Sequence, residues 1–154
     1  MSSRIDAASE CFKSGFNCAQ AVFSAYAPLV GVTEEDALRI AAGFGGGMGR
    51  QQEVCGAVTG ALMVIGCKSG SITVDSSAKE RTYAQVNDFS MEFRRLHGSL
   101  LCRDILGCDL STVEGRRQVE EKRLSTVVCL PCVQDAGRLL EETILNTEKS
   151  QTSS

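Results

Sequence analysis

The stretch that decides the fold runs from Gly43 to Gly60 and reads G-F-G-G-G-M-G-R-Q-Q-E-V-C-G-A-V-T-G. It contains a glycine-rich run that cannot continue a helix and predicts a tight backbone loop, formed by Gly45, Gly46, Gly47 and Gly49. Glu53 to Ile65 then follow as an almost wholly apolar segment, which predicts a buried helix. Cys55 is therefore placed at a helix start, where free N–H groups and the helix dipole favour a thiolate.

The glycine run has two interpretations that the sequence leaves open. It lacks the Gly-Lys-Ser/Thr ending of a phosphate-binding loop and follows a predicted helix instead of a strand, so the pattern argues against nucleotide binding. Glycine backbone can bring N–H groups close to an anion such as a cluster sulfide. The same freedom can simply allow two helices to turn tightly.

Outside this stretch, helix starts are marked by capping residues that precede apolar residues at helical spacing. These starts lie at Asn17, at Thr33, at Asp75 or Ser77, at Ser111 and near Pro131. Residues 124–129 are the only candidate strand. We expect an all-α fold: a single-domain helical bundle of five to seven helices covering residues 1–154, with residues 147–154 as a disordered polar tail.

Length and composition narrow the class of protein. A chain of 154 residues with 43% apolar content can bury a core without disulfide bonds, so its eight cysteines are not needed for folding. The net charge of −3, from interspersed basic and acidic residues, predicts no nucleic-acid or membrane partner. Apolar runs such as Ala57–Ile65 are too short to span a bilayer. Met1–Gly15 shows no secretory signal pattern, so we expect a cytoplasmic protein with reduced thiols.

The predicted helices place several cysteines at positions that favour ionised sulfur. Cys18, Cys55 and Cys132 fall at helix starts, and Cys102 opens a short turn from Cys102 to Leu106. Such positions lower the pKa of a thiol to roughly 3.5–7.5. If these starts converge, they form a pocket suited to a metal or an iron–sulfur cluster. The functional candidates are Cys18, Cys55, Cys102 and Cys129, whereas Cys11 and Cys67 are interpreted as small buried hydrophobes.

Three further residues are secondary site candidates: Cys108, Cys132 and His97. The Cys129-Leu-Pro-Cys132 pair has the spacing of a redox dithiol or of half a zinc site, but no second such pair completes a zinc ribbon. No histidine follows this pair, so covalent haem is not expected. His97 is the only histidine, and its position at the end of the longest helix favours a helix cap or a surface residue over a ligand.

Several motifs together carry a family resemblance. They are G-F-N-C-A-Q-A-V-F at 15–23, G-G-G-M-G at 45–49, C-G-A-V-T-G at 55–60, and the later Cys102 and Cys129. From Ile5 to Leu140 the chain resembles the C_GCAxxG_C_C family of redox-active proteins. The resemblance implies four site cysteines, namely Cys18, Cys55, Cys102 and Cys129, with Cys132 competing for the last position. The chain is also similar to the cysteine-bearing part of split-Soret cytochromes, although it lacks a haem-attachment motif.

Three functions follow as hypotheses, and whether the chain is an enzyme stays open. The first is a redox protein that holds a thiolate-ligated metal or iron–sulfur cluster and transfers electrons. The second is a thiol–disulfide redox protein that uses Cys55 or the Cys129/Cys132 pair. The third is a zinc-stabilised interaction module. The expected partners are a redox protein, a small thiol or a metal, and a homodimer is one assembly to test.

Overall fold

The computed structural model describes residues 3–145, and these residues form an all-helical fold, as the sequence predicts. The described part contains nine α-helices: α1 (Arg4–Lys13), α2 (Cys18–Tyr26), α3 (Glu34–Ile40), α4 (Gly45–Met48), α5 (Gly56–Ser69), α6 (Ser76–His97), α7 (Cys102–Leu106), α8 (Val113–Glu121) and α9 (Leu130–Leu140). Short 3₁₀ turns cover Ala27–Val30 and Ala42–Phe44, and π-helical turns cover Ser125–Cys129 and Glu141–Leu145. The predicted tail at 147–154 lies outside the described residues.

The number of helices exceeds the predicted five to seven for two reasons. One additional helix is α1, which was not predicted and which is opened by a reciprocal capping box between Ser3 and Asp6. In addition, α7 is a single turn of five residues, and α4 is a four-residue turn in which Gly46 and Gly47 have left-handed backbone angles. The candidate strand at 124–129 is wrong, because Ser125–Cys129 forms a π-helical turn that continues directly into α9. Its β-branched residues prefer strands only weakly, and the tertiary context overrides that preference.

The central element is α5, which packs between α2, α6 and α9. Its buried residues are Gly56, Ala57, Val58, Gly60, Ala61, Val64 and Ile65. The predicted bounds of Glu53–Ile65 are wrong at both ends. Glu53 and Val54 belong to an extended segment before the helix, and the helix runs through Gly66 and ends at Gly70.

A close crossing joins α2 to α5. A Cβ atom at Gly60 would lie only 2.7 Å from the carbonyl oxygen of Ala19, so no larger residue fits without moving the backbone. At Gly56, an added Cβ would lie 3.2 Å from the Cβ of Cys18. The two glycines therefore let the starts of α2 and α5 lie side by side, which brings Cys18 near Cys55.

Within residues 3–145, no helix is both long enough and apolar enough to cross a bilayer.

Candidate functional site: five converging thiols

The glycine-rich run forms a turn of left-handed helix. The φ angles are 61° at Gly46, 64° at Gly47, 69° at Met48, 59° at Gly49 and 69° at Arg50. L-residues with a Cβ pay about 1–2 kcal/mol each in this conformation, which explains why three of these five positions are glycine. The run therefore does end the preceding helical segment, and it does so by reversing the hand of the backbone.

This left-handed turn folds tightly against the segment that leads to Cys55. A Cβ atom at Gly47 would lie 2.8 Å from the backbone of Gln52 and Glu53. The amide of Gln52 donates to the carbonyl of Gly46 at 3.0 Å, and that of Glu53 donates to Gly47 at 3.1 Å. Two roles were considered for the glycines, and these contacts support the role in forming a tight turn.

A single antiparallel bridge between Val54 and Leu101 joins two of the candidate cysteines. The amide of Cys55 donates to the carbonyl of Leu100 at 2.8 Å, and the amide of Cys102 donates to Glu53 at 2.7 Å. These bonds tie the start of α5 to the start of α7. This pairing could not be predicted from the sequence, because one bridge lacks the alternating pattern of a strand.

The other cysteines reach the same place from α2 and from the junction before α9. Cys18 is the first residue of α2, whose start is fixed by a capping box between Asn17 and Gln20. The thiols of Cys18 and Cys129 lie close enough to change each other's pKa, and so do those of Cys55 and Cys132. Five thiols thus converge, all of them as free cysteines. They are Cys18, Cys55, Cys102, Cys129 and Cys132.

Cys55 is the thiol that this environment prepares best for ionisation. Its pKa is lowered by the hydrogen bond from Cys132 and then by the backbone N–H groups of Ala57 and Val58, although burial opposes the effect. Cys55 is the N-cap of α5, one position before the first turn in which the sequence analysis placed it. The N–H groups at the helix start nevertheless act on its sulfur as expected.

For three other thiols the predicted lowering of the pKa at a helix start is wrong. The pKa of Cys18 is raised by its hydrogen bond with Cys129 and by burial, and that of Cys132 is raised by its hydrogen bond with Cys55 and by burial. Burial raises the pKa of Cys102 to about 12. Within each close pair, the loss of one proton leaves the other proton shared between the two sulfurs, so only one sulfur ionises easily. In the pair of Cys18 and Cys129 that sulfur belongs to Cys129, because the hydrogen bond from Cys18 lowers its pKa.

The remaining cysteines have separate surroundings. Cys11 is half-buried, with its sulfur 3.7 Å from the hydroxyl of Ser24. Cys67 is exposed, so its interpretation as a buried hydrophobe is wrong. The thiol of Cys108, a secondary candidate, donates to the side chain of Gln118 at 3.4 Å.

His97 lies at the edge of the site and is not a surface residue. Its side chain is 14% exposed, and its Nδ1 lies 3.7 Å from the sulfur of Cys132. Nε2 lies 2.9 Å from Oδ2 of Asp135, yet it makes no hydrogen bond of regular geometry. The ring also packs on Phe93, with 4.6 Å between ring centroids. The end of α6 is instead capped by Gly98 in the left-handed conformation.

The spacing of these groups constrains what they can hold. Among residues 3–145, no three or more His, Cys, Asp or Glu side chains are grouped closely enough to bind a single metal ion. A tetrahedral ion with metal–sulfur bonds of 2.3 Å would need its sulfurs about 3.8 Å apart. The thiols form two close pairs instead, with Cys102 beside them.

Comparison with known proteins gives one match. The sequence model of the family described as "Putative redox-active protein (C_GCAxxG_C_C)" matches residues 16–143. This chain belongs to the C_GCAxxG_C_C family. Among curated proteins and solved structures, none matches it.

The region matched by the C_GCAxxG_C_C family contains all five converging thiols and His97, whereas Cys11 lies before it. The four cysteines that the resemblance singled out therefore lie near one another within the matched region. Cys132, which competed with Cys129 for a place, lies there as well. Membership in the C_GCAxxG_C_C family indicates a redox-active protein.

Proposed function

We propose that this protein is a redox protein that holds an iron–sulfur cluster on its buried thiols and uses it to transfer electrons. The observation that supports this proposal is the arrangement of the thiols as two close pairs. One pair is Cys18 with Cys129, and the other is Cys55 with Cys132.

The paired arrangement suits a two-iron cluster. In such a cluster four cysteine thiolates bind two irons, so the ligands come as two close pairs that the cluster holds apart. A single zinc ion would instead need all four ligands near one point, and the described residues offer no such group. Cys102 is a fifth donor on the side of Cys55 and competes with Cys132 for the fourth position. The zinc-stabilised module is therefore the less supported hypothesis.

The surroundings of the thiols suit the negative charge of a thiolate-ligated cluster and its use in electron transfer. The N–H groups of Ala57 and Val58 favour negative charge on Cys55. Cys55, Cys102 and Cys132 are buried, which keeps water from that side of the site, whereas Cys18 and Cys129 are partly exposed. A bound cluster would supply one-electron redox chemistry, and the partly exposed pair would give electrons a route to a partner.

The test is anaerobic purification followed by iron, zinc and acid-labile sulfide analysis, with visible and electron paramagnetic resonance spectra. We expect about two irons and two sulfides per chain. Single serine variants at each of the five thiols then identify the four ligands, and Cys67→Ser is the matched control. Stoichiometric zinc without iron, or no metal after reconstitution with iron and sulfide, would overturn the proposal.

A second function is supported by the contact between Cys55 and Cys132. Cys55 has a lowered pKa and touches a second thiol, as the nucleophile of a dithiol pair does. Attack of the Cys55 thiolate on a partner disulfide would give a mixed disulfide, which Cys132 would resolve. Two electrons and two protons would pass to the partner, leaving a Cys55–Cys132 disulfide in this chain.

Redox titration of the metal-free protein tests this alternative. Alkylation and peptide mass spectrometry should find a reversible Cys55–Cys132 disulfide at a defined potential. Cys132→Ser should abolish it, whereas Cys129→Ser should leave it. Reduction of both thiols at every potential tested would exclude the alternative.

A further inference from the structure

We propose that His97 is a positioning residue of the thiol site, whose imidazole is held by Asp135 and in turn fixes the sulfur of Cys132. The inference deepens the proposed function, on which the use of Cys132 in redox chemistry rests. The motif that names the family specifies no histidine, so the family match does not assign this role.

The imidazole contacts two residues on one face of α9. Cys132 and Asp135 are three residues apart on this helix, so their side chains lie on the same face. His97 is the last residue of α6 and reaches both of them. Its Nδ1 is hydrogen-bonded to Sγ of Cys132 at 3.7 Å, and its Nε2 lies 2.9 Å from Oδ2 of Asp135. Each ring nitrogen therefore contacts a different polar group of α9.

Two further contacts fix the imidazole and the carboxylate beside it. Phe93, one turn earlier on α6, is completely buried, and its ring packs on the imidazole with 4.6 Å between the centroids. The other oxygen of Asp135, Oδ1, accepts a hydrogen bond from Nη1 of Arg138 at 2.5 Å. A side chain is positioned accurately when packing and hydrogen bonds restrict the groups that support it. The ring of His97 therefore has a defined position relative to the sulfur of Cys132.

The nitrogens of the ring, and not its size, point to a role at the thiols. A phenyl ring would fill a similar volume and pack on Phe93, whereas a buried imidazole costs free energy unless its nitrogens have partners. One of those partners is a sulfur of the site. Cys132 is only 1% exposed, so neighbouring protein groups and not water orient this sulfur. Groups that hydrogen-bond a metal ligand orient it, and their removal typically weakens metal binding about 10–100-fold.

The first experiment uses the reduced, metal-free protein without a purification tag and does not depend on a cluster. His97 is the only histidine, so labelling histidine with the heavy nitrogen isotope gives nuclear magnetic resonance signals from this ring alone. The two ring nitrogens are distinct, and each signal depends on what that nitrogen contacts. Cys132→Ala should shift the Nδ1 signal, and Asp135→Ala should shift the Nε2 signal. Cys67→Ala, at the far end of α5, is the matched control and should shift neither. An unshifted Nδ1 signal in Cys132→Ala would overturn the proposal, whatever the stability of that variant.

The second experiment uses protein reconstituted anaerobically with iron and sulfide. His97→Phe keeps a ring that packs on Phe93 but removes both nitrogens, so it should shift the reduction potential and weaken iron retention against a chelator by about 10–100-fold. His97→Asn, whose amide can reach the place of Nδ1, should restore part of the retention. Leu96→Phe adds a ring at the neighbouring position, which is 42% exposed, and should change neither property. Unchanged potential and retention in His97→Phe would overturn the proposal. If wild-type protein retains no iron, the cluster function fails, while the nitrogen signals still decide the role of His97.

Discussion

The two ends of α5 each carry a cysteine next to a glycine, yet the two cysteines differ in burial and in the groups that surround them. At the first end, Cys55 is buried beside Cys132, and Gly56 lies against the start of α2. At the last turn, Cys67 is exposed, and an added Cβ at Gly66 would meet nothing within 4 Å. The same residue types thus form a site at one end and an ordinary surface at the other. What differs is the set of neighbours supplied by distant segments.

The largest expected effect is on the chemistry at the first end. Cys55→Ser should abolish retention of a cluster or metal, or thiol redox activity, while the helical content measured by circular dichroism is kept. A serine hydroxyl has nearly the same size but stays protonated near neutral pH, so it cannot replace the soft thiolate. Metal analysis and thiol assays measure the loss.

Cys67→Ser is the control for that substitution, because it changes the same atom at the other end of α5. It should leave metal content and thiol redox activity unaltered. Equal behaviour of the two variants would remove the special status of Cys55.

Alkaline pH should destabilise the reduced, metal-free protein through Cys102. The pKa of this thiol is about 12 in the folded state, against about 8.5 in an unfolded chain. A raised pKa stabilises the fold fully below the unfolded value, and that stabilisation is lost as the pH rises towards the folded value. Between about pH 8.5 and 12 the free energy of unfolding should therefore fall as the pH rises. Urea unfolding of wild type and Cys102→Ser across this range isolates the contribution.

The difference in stability between wild type and Cys102→Ser should therefore shrink with rising pH. Cys108→Ser, on the loop after α7, is the control cysteine variant. Its free energy of unfolding is measured in the same way. A wild-type advantage over Cys102→Ser that grows above pH 8.5 would contradict the assignment.

Gly60→Ala should destabilise the fold by roughly 1–3 kcal/mol, because its new methyl group would overlap the backbone of Ala19. The crossing of α2 over α5 would have to widen, which would also move Cys18 away from Cys55. Urea unfolding measures the loss of stability, and metal analysis measures the effect on the site. A variant with wild-type stability would show that the crossing is looser than the contact distance of 2.7 Å implies.

Gly66→Ala, on the same helix, should have the smallest effect and the opposite sign. Its Cβ enters open space, and alanine favours a helix over glycine by about 0.5–1 kcal/mol. The melting temperature should rise slightly. A fall in melting temperature would mean that the two halves of α5 are less different than their neighbours indicate.

Local signals in the sequence predicted the structure correctly where the residues that cause a structural element lie within the same short segment. The capping of α2 by Asn17 and the exact bounds of Cys102–Leu106 are examples. So is the apolar character that makes α5 the central helix. The predicted start of α5 was wrong, because Glu53 and Val54 are not helical and instead contact the segment around Leu101. Those contacts join residues almost fifty positions apart, and no local pattern encodes them.

The candidate site shows the same division. Motifs and capping identified Cys18, Cys55, Cys102 and Cys129, and the structure brings these four together. His97 was expected at the surface and is instead partly buried beside Cys132. The buried side chain of Gln52 was not predicted to have any role, because its partners, Cys108 and Leu110, come from a distant segment of the chain.

Spacing, composition and motifs alone were enough to predict the helical class, the central helix, the family and the four cysteines that the structure brings together. Tertiary structure alone decided which thiols pair and which of them ionise. It also decided that a left-handed turn and one antiparallel bridge carry Cys55 to Cys102. The physical reason is that a thiol's pKa depends on burial and on neighbouring sulfurs and N–H groups, and the neighbouring sulfurs come from other segments of the chain.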